Sequence, residues 1–198
     1  MLYTRIDGRA EQAKGDRVSR QIMGATQDQW LHSSLKSSRA KWRFLGNQLM
    51  FATLPEKLFA WELPIAADAW VGYPGPGQAL LDLLAKNKIC NTVMITGDFH
   101  GSVASDIPAD RQGQVQCAVG HDRDSAILNG LAKPVLRLAN PSAKWIGLYR
   151  HGDMFVAITP AKVRVEYTYV KSFKKLDGGA TAVAAVLETA SGRITTVQ

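Results

Sequence analysis

The densest group of reactive side chains lies in Thr96-Gly97-Asp98-Phe99-His100. A carboxylate and an imidazole at i and i+2 on extended backbone point the same way and can converge on one ion. Asp98 and His100 are hard-to-intermediate donors that suit iron, manganese, zinc or calcium. A metal so held generates a hydroxide nucleophile or clamps phosphoryl oxygens. Gly97 lets the backbone approach a ligand closely. The competing reading is a turn in which Asp98 caps a following helix and His100 is incidental. A second group is Asp68-Ala69-Trp70-Val71-Gly72-Tyr73-Pro74, whose Asp68, Trp70 and Tyr73 are candidates for the wall of a substrate pocket. The competing reading there is an aromatic anchor that pins a loop to the core. His121-Asp122-Arg123-Asp124-Ser125 holds the residue types of a nucleophilic triad. It lacks a Gly-x-Ser-x-Gly elbow, and residues this close in sequence rarely reach triad geometry. His32 and His151 read as surface or packing residues. There is no P-loop and no dinucleotide fingerprint.

The elements that must position these groups follow from periodicity and turn chemistry. Residues 91–96 (NTVMIT) form a short β-branched run, which predicts a strand that carries Asp98 and His100 past its carboxyl end. Ligands of α/β sheets bind at that end. Just before it, residues 78–86 pack Leu80, Leu81, Leu83 and Leu84 into an amphipathic helix that Asn87 stops. A helix followed by a buried strand predicts an αβ unit and a sheet covered on both faces. Residues 52–77 hold four prolines and read as one long loop. Thr26-Gln27-Asp28-Gln29 is a capping-box pattern with Thr26 as N-cap, and Trp30, Leu31 and Leu35 are expected on one face of the helix that follows. That helix should end near Ser37-Ser38. Residues 2–6 and 42–51 read as strands, the second mostly buried. From about residue 113 the pattern shifts to strands. Residues 144–150, 154–158 and 163–170 are expected as a meander, with a hairpin at His151-Gly152-Asp153 and a turn at residues 159–162.

Composition sets broad limits. The chain has 198 residues, 46% of them hydrophobic and 21% charged, so it can bury a core and fold. The net charge of +7 is dispersed along the chain, which reads as a solvated surface and not as a nucleic-acid stripe. No apolar run reaches the roughly 20 residues needed to span a bilayer. Cys90 and Cys117 are too few for a disulfide framework and read as buried free thiols.

Gln29-Trp30-Leu31, Ser38-Arg39-Ala40-Lys41-Trp42 and Leu45-Gly46-Asn47-Gln48-Leu49-Met50-Phe51 occur here in order. They are followed by Asp68-Ala69-Trp70, Gly72-Tyr73-Pro74 and Thr96 to Ser102. Further on come Ala139-Asn140-Pro141, Lys144-Trp145, Arg150-His151-Gly152 and Thr159-Pro160. Together, over residues 1–172, these segments resemble the PhoD-like alkaline phosphatase family of metallophosphoesterases. The resemblance implies an α/β fold: part of a metallophosphatase-type β-sandwich flanked by helices, with a mixed sheet. It implies hydrolysis of phosphate mono- and diesters by a metal cluster of iron and calcium. Asp98 becomes a metal ligand and His100 a ligand or phosphate contact, both catalytic. Residues 1–175 are expected to be the C-terminal half of the family domain, and 176–198 an edge strand or tail.

This sequence departs from the family pattern at Val71, where Asp is usual, at Tyr3 in place of the Asp of Leu-Asp-Thr-Arg, and at Ser142, where His is frequent. The upstream carboxylates of the family do not occur in it. The isolated chain is therefore expected to be truncated and inactive, with a complementary N-terminal half as partner. The alternative is a non-catalytic fragment acting as a binding or interaction module. No signal-type apolar segment follows Met1, so the chain as it stands reads as cytoplasmic, while members of the family are often exported.

Overall fold

The computed structural model describes residues 1–5, 8–9, 18–51, 57–58, 61–62, 69–97, 101–107, 114–118, 126–147, 150–170, 181–190 and 193–197. Helix α1 spans Ala25–Ser37. Its N-cap is Gly24, whose carbonyl accepts from Asp28 N at 3.0 Å, so Thr26 already lies inside the first turn. Leu31 and Leu35, four apart, are buried. Trp30 is 53% exposed. It stands about 100° around the helix from Leu31, which takes it off the buried face.

Strand β1 is Arg43–Asn47, shorter than the expected run. Leu49, Met50 and Phe51 beyond it are still buried. The stretch expected as a loop carries a two-stranded pair, β2 (Lys57–Leu58) and β3 (Trp61–Glu62), and a 3-10 turn at Trp70–Gly72. Helix α2 then runs Pro74–Lys86, four residues earlier than the leucines announce. Pro74 and Pro76 sit in its first turn, where a missing N–H leaves no intrahelical bond unmade. Asn87 ends it, its side-chain amide donating to Leu83 O at 2.8 Å.

Strand β4 (Thr92–Thr96) pairs in parallel with β1, from Arg43↔Thr92 to Asn47↔Thr96. Helix α2 and β4 are the αβ unit that the sequence pattern predicts, and the structure adds β1 as the parallel partner of β4. Next come β5 (Ser102–Asp106), β6 (Gln114–Ala118), α3 (Ala126–Ala139) and β7 (Ala143–Gly147). They complete a mixed five-stranded sheet of order β1-β4-β6-β5-β7, with β4 in its interior. Helix α3 falls where strands are expected. Gly130 and Pro134, both poor helix residues, mask its period in the sequence.

Strands β8 (Gly152–Ile158), β9 (Val163–Val170), β10 (Thr181–Thr189) and β11 (Thr195–Thr196) form a second, antiparallel sheet of order β11-β10-β9-β8. The expected three-strand meander is therefore corrected. No hairpin joins β7 to β8, because the chain changes sheets between them. Gly152 serves a cross-strand approach: a Cβ there would lie 2.0 Å from Thr168 O. The turn at residues 159–162 does form, with Thr159 N donating to Lys162 O at 2.9 Å. Within residues 176–198, β10 lies inside the sheet against β9, and β11 is the edge. Residues 1–5 form no strand, and Leu2 N makes a single bond to Gly46 O at 2.7 Å. Cys90 is exposed, contrary to the expected buried thiol.

The side chains of β1 and β4 alternate between two cores. Leu45 and Met94 pack with Leu31, Leu35, Leu80 and Leu84 of α1 and α2. Phe44, Val93 and Ile95 pack with Val165, Tyr167 and Leu187 of the second sheet. Both faces of the five-stranded sheet are thus covered, which is why β4 reads as a continuous apolar run. Among the bonds that join the two sheets and their flanking turns, Tyr167 Oη donates to Val103 O at 3.0 Å and Trp42 Nε1 to Thr159 O at 3.0 Å. Among the described residues, no helix is long and apolar enough to cross a membrane.

Candidate functional site

The parallel strands β1, β4 and β6 end at one edge of the sheet, at Asn47, Thr96 and Ala118. β5 begins and β7 ends at the same edge, through Val103↔Ala118 and Ser102↔Gly147. Gly97 and Gly101, which bracket Asp98 and His100, therefore both adjoin this edge. Asp98, Phe99 and His100 themselves lie outside the described residues, as does Asp68. A Cβ built on Gly97 meets nothing within 4 Å among the described residues.

The described part of the edge is a buried polar network. Asn47 is 5% exposed. Its Nδ2 donates to Leu49 O, and its Oδ1 accepts from Leu49 N at 3.4 Å and Thr4 Oγ1 at 3.3 Å. Thr96 Oγ1 donates to the same Leu49 carbonyl at 3.5 Å. Thr4 N is held by Gln48 Oε1 at 3.1 Å. The hydroxyl of Ser102, wholly buried at the start of β5, has no hydrogen-bond partner among the described residues.

Trp70 and Tyr73, the described members of the aromatic loop, are 3% and 0% exposed and belong to the core of α1 and α2. Trp70 packs on Phe51 with ring centroids 4.9 Å apart, and its buried Nε1 has no partner among the described residues. Tyr73 Oη accepts from Arg9 Nε at 2.7 Å, and the guanidinium lies 5.0 Å from the ring centroid. Arg9 Nη1 also donates to Thr4 O at 3.3 Å. The aromatic loop is thereby linked to the Thr4–Asn47 network. His32 lies 3.7 Å from Asp28 on α1, and His151 precedes β8. The residues of His121 to Ser125 are outside the described set.

The family model for PhoD-like phosphatase matches residues 3–167. The chain belongs to the PhoD-like phosphatase family. Alkaline phosphatase D of Bacillus subtilis (strain 168) is 33% identical over 98 residues, a stretch that makes up 46% of this chain and 16% of that protein. A solved structure of PhoD matches with a TM-score of 0.81 at 21% identity, covering 96% of this chain and 40% of that one. That likeness shows the fold. The chain thus spans well under two thirds of either relative. The matched residues of this PhoD-like chain stop within β9, while the solved structure also parallels nearly all the rest.

PhoD-like phosphatases are metal-dependent. Among the described residues, no group of three or more His, Cys, Asp and Glu can hold a metal ion. The described part of the edge does not fit a metal by itself, since it offers amide and hydroxyl oxygens already bonded to one another, apart from Ser102 Oγ. Sequence reasoning did not single out Thr4, Arg9 or Asn47 as site residues. The available signal for Asn47 is the amide pair Asn47-Gln48 at the end of an apolar strand, after a glycine.

Proposed function

We propose that this chain is part of a metal-dependent phosphoric ester hydrolase and supplies the later part of a metallophosphatase sandwich. Asp98 acts as a metal ligand and His100 as a ligand or phosphate contact, with Asp68 on the pocket wall. The observation that carries this reading is the position of the Gly-Asp-x-His motif. It follows an interior parallel strand at the carboxyl edge of the sheet, in a chain that matches the PhoD-like family over residues 3–167. Iron and calcium are the metals that the resemblance implies, and phosphate mono- and diesters the substrates. A metal bound there supplies charge to polarise a phosphoryl oxygen.

Trp70 and Tyr73 support the pocket from behind. Their rings are in the core, and Tyr73 holds Arg9 toward Thr4. The 198 residues alone are catalytically silent, because one carboxylate and one imidazole do not hold two metals tightly. Purified protein is expected to leave p-nitrophenyl and bis-p-nitrophenyl phosphate unhydrolysed, and to take up calcium or iron weakly and lose it on dialysis. Asp98→Asn and His100→Gln should each reduce that uptake. Metal uptake indifferent to both substitutions would remove the site assignment. Metal-dependent turnover that Asp98→Asn abolishes would show the chain to be a complete enzyme.

A further inference from the structure

At the other end of the five-stranded sheet, the second half of α3, the start of β7 and β11 enclose a groove of about 670 Å³. The register Ser102↔Gly147 and Ser105↔Ala143 puts Ala143 and Lys144 at the sheet end away from Gly97. The groove is therefore separate from the edge that carries Asp98 and His100. Among the described residues that line it are three cations, Lys133, Arg137 and Lys144, and no carboxylate.

Lys133 and Arg137 are four apart on α3, a like-charge spacing that disfavours a helix unless something neutralises it. Lys133 Nζ leans over the Trp145 ring, 4.6 Å from its centroid. Burial, and then the charge of Arg137, lower the Lys133 pKa. Lys144 has one acidic neighbour, Asp106 Oδ2 at 3.5 Å, and the other oxygen of that carboxylate accepts from Ile194 N at 2.8 Å. The described lining is thus cationic, with Asp106 as the carboxylate beside Lys144. Next to the charges Pro134, Leu138 and Pro141 present an exposed apolar surface, Leu138 being 85% exposed.

The geometry points to a second ligand site, one that takes an organic phosphate dianion of mononucleotide size. The planar fork of Arg137 can grip two phosphoryl oxygens at once, and Lys144 supplies a point charge beside it. The non-phosphoryl part of the ligand covers Leu138 and Pro141. The volume lies within the range of roughly 300–1,000 Å³ usual for small-molecule sites. The site depends on neither Asp98 nor His100, so it stands or falls separately from the phosphatase reading.

Adenosine monophosphate, titrated into the intact 198-residue chain by calorimetry at low and moderate salt, is the direct probe. Saturable 1:1 binding is expected, about tenfold weaker in Arg137→Gln and again in Lys144→Gln, as for the loss of one charge-assisted contact. Lys36→Gln, which removes a charge from the last turn of α1, should bind as the parent does. Inorganic phosphate should bind at least about tenfold more weakly than the nucleotide, because it leaves the apolar surface uncovered. Equal weakening by Lys36→Gln, or binding unchanged by Arg137→Gln, would overturn the site. So would inorganic phosphate as tight as the nucleotide, or no saturation. Arg137 is exposed, so its variant keeps the fold and the result readable.

Discussion

Asn47 shows at the scale of one residue how the carboxyl edge is held. Its short amide fixes both the N–H and the C=O of Leu49 and receives the hydroxyl of Thr4. Replacing it with Ala takes the acceptor from the buried Leu49 N–H and the buried Thr4 hydroxyl, while the Leu49 carbonyl keeps Thr96 Oγ1, and each buried group so deprived costs of order 1–3 kcal/mol. Asn47→Ala should therefore lower stability by about 2 kcal/mol or more, read as a fall in the urea midpoint. Thr4→Val deletes one bond of the network and keeps its shape, so its loss should be about 1 kcal/mol or less. A larger loss in Thr4→Val than in Asn47→Ala would show that the network is not centred on the amide. At this scale the sequence is legible where chemistry is local. Asp98 and His100 stand out because they are two residues apart after a strand. Thr4 and Asn47, 43 residues apart, meet only through the fold.

Among the elements, the β9–β10 ladder carries the clearest electrostatic signature. Glu188 on β10 accepts from Lys162 Nζ at 2.8 Å and 2.9 Å and from Arg164 Nη1 at 3.2 Å. The hydrogen bond from Lys162 is the largest influence; desolvation opposes it, and the bond from Arg164 with the charges of both cations leaves the carboxyl below its ordinary value of 4.5. A carboxyl with a lowered pKa in the folded state stabilises at neutral pH, and that contribution is lost as pH falls below 4.5 through the lowered value. Urea midpoints of the parent and Glu188→Gln should differ at pH 7 and converge as the pH is taken below 4. A gap that stays constant from pH 7 to pH 3 would mean that the carboxylate charge contributes nothing. The alternating run of β9 and its turn are legible in the sequence, since period and turn chemistry are local. The pairing with β10 is not, because ten residues separate the strands and their register includes an irregularity between Val183 and Ala185.

For the molecule as a whole, the contact between the two sheets decides stability. Tyr167 is wholly buried, and its hydroxyl reaches the Val103 carbonyl of the other sheet. Tyr167→Phe keeps the ring packing and removes the bond, leaving a buried carbonyl short of a donor, at an expected cost of about 1–2 kcal/mol. Thermal unfolding should remain a single transition at a lower midpoint, because the shared apolar layer survives. Two resolved transitions in the variant would show that the sheets unfold as separate units.

The sequence by itself determined the α2 leucine face, the buried run of β4, the alternation of β9, and a series of motifs ordered closely enough to point to the PhoD-like family. Each of these is written within a few residues, in period, turn chemistry or a short motif. Only the tertiary structure decided that α3 forms across Gly130 and Pro134, and that β7 and β8 part to different sheets at Gly152. It also decided that Trp70 and Tyr73 face the core, and that β10 lies inside its sheet. The physical reason is common to all of them. Helix propensity at a proline is overridden by packing, and the partner of a strand is chosen by hydrogen bonds and apolar contacts with residues far along the chain, which no local pattern records.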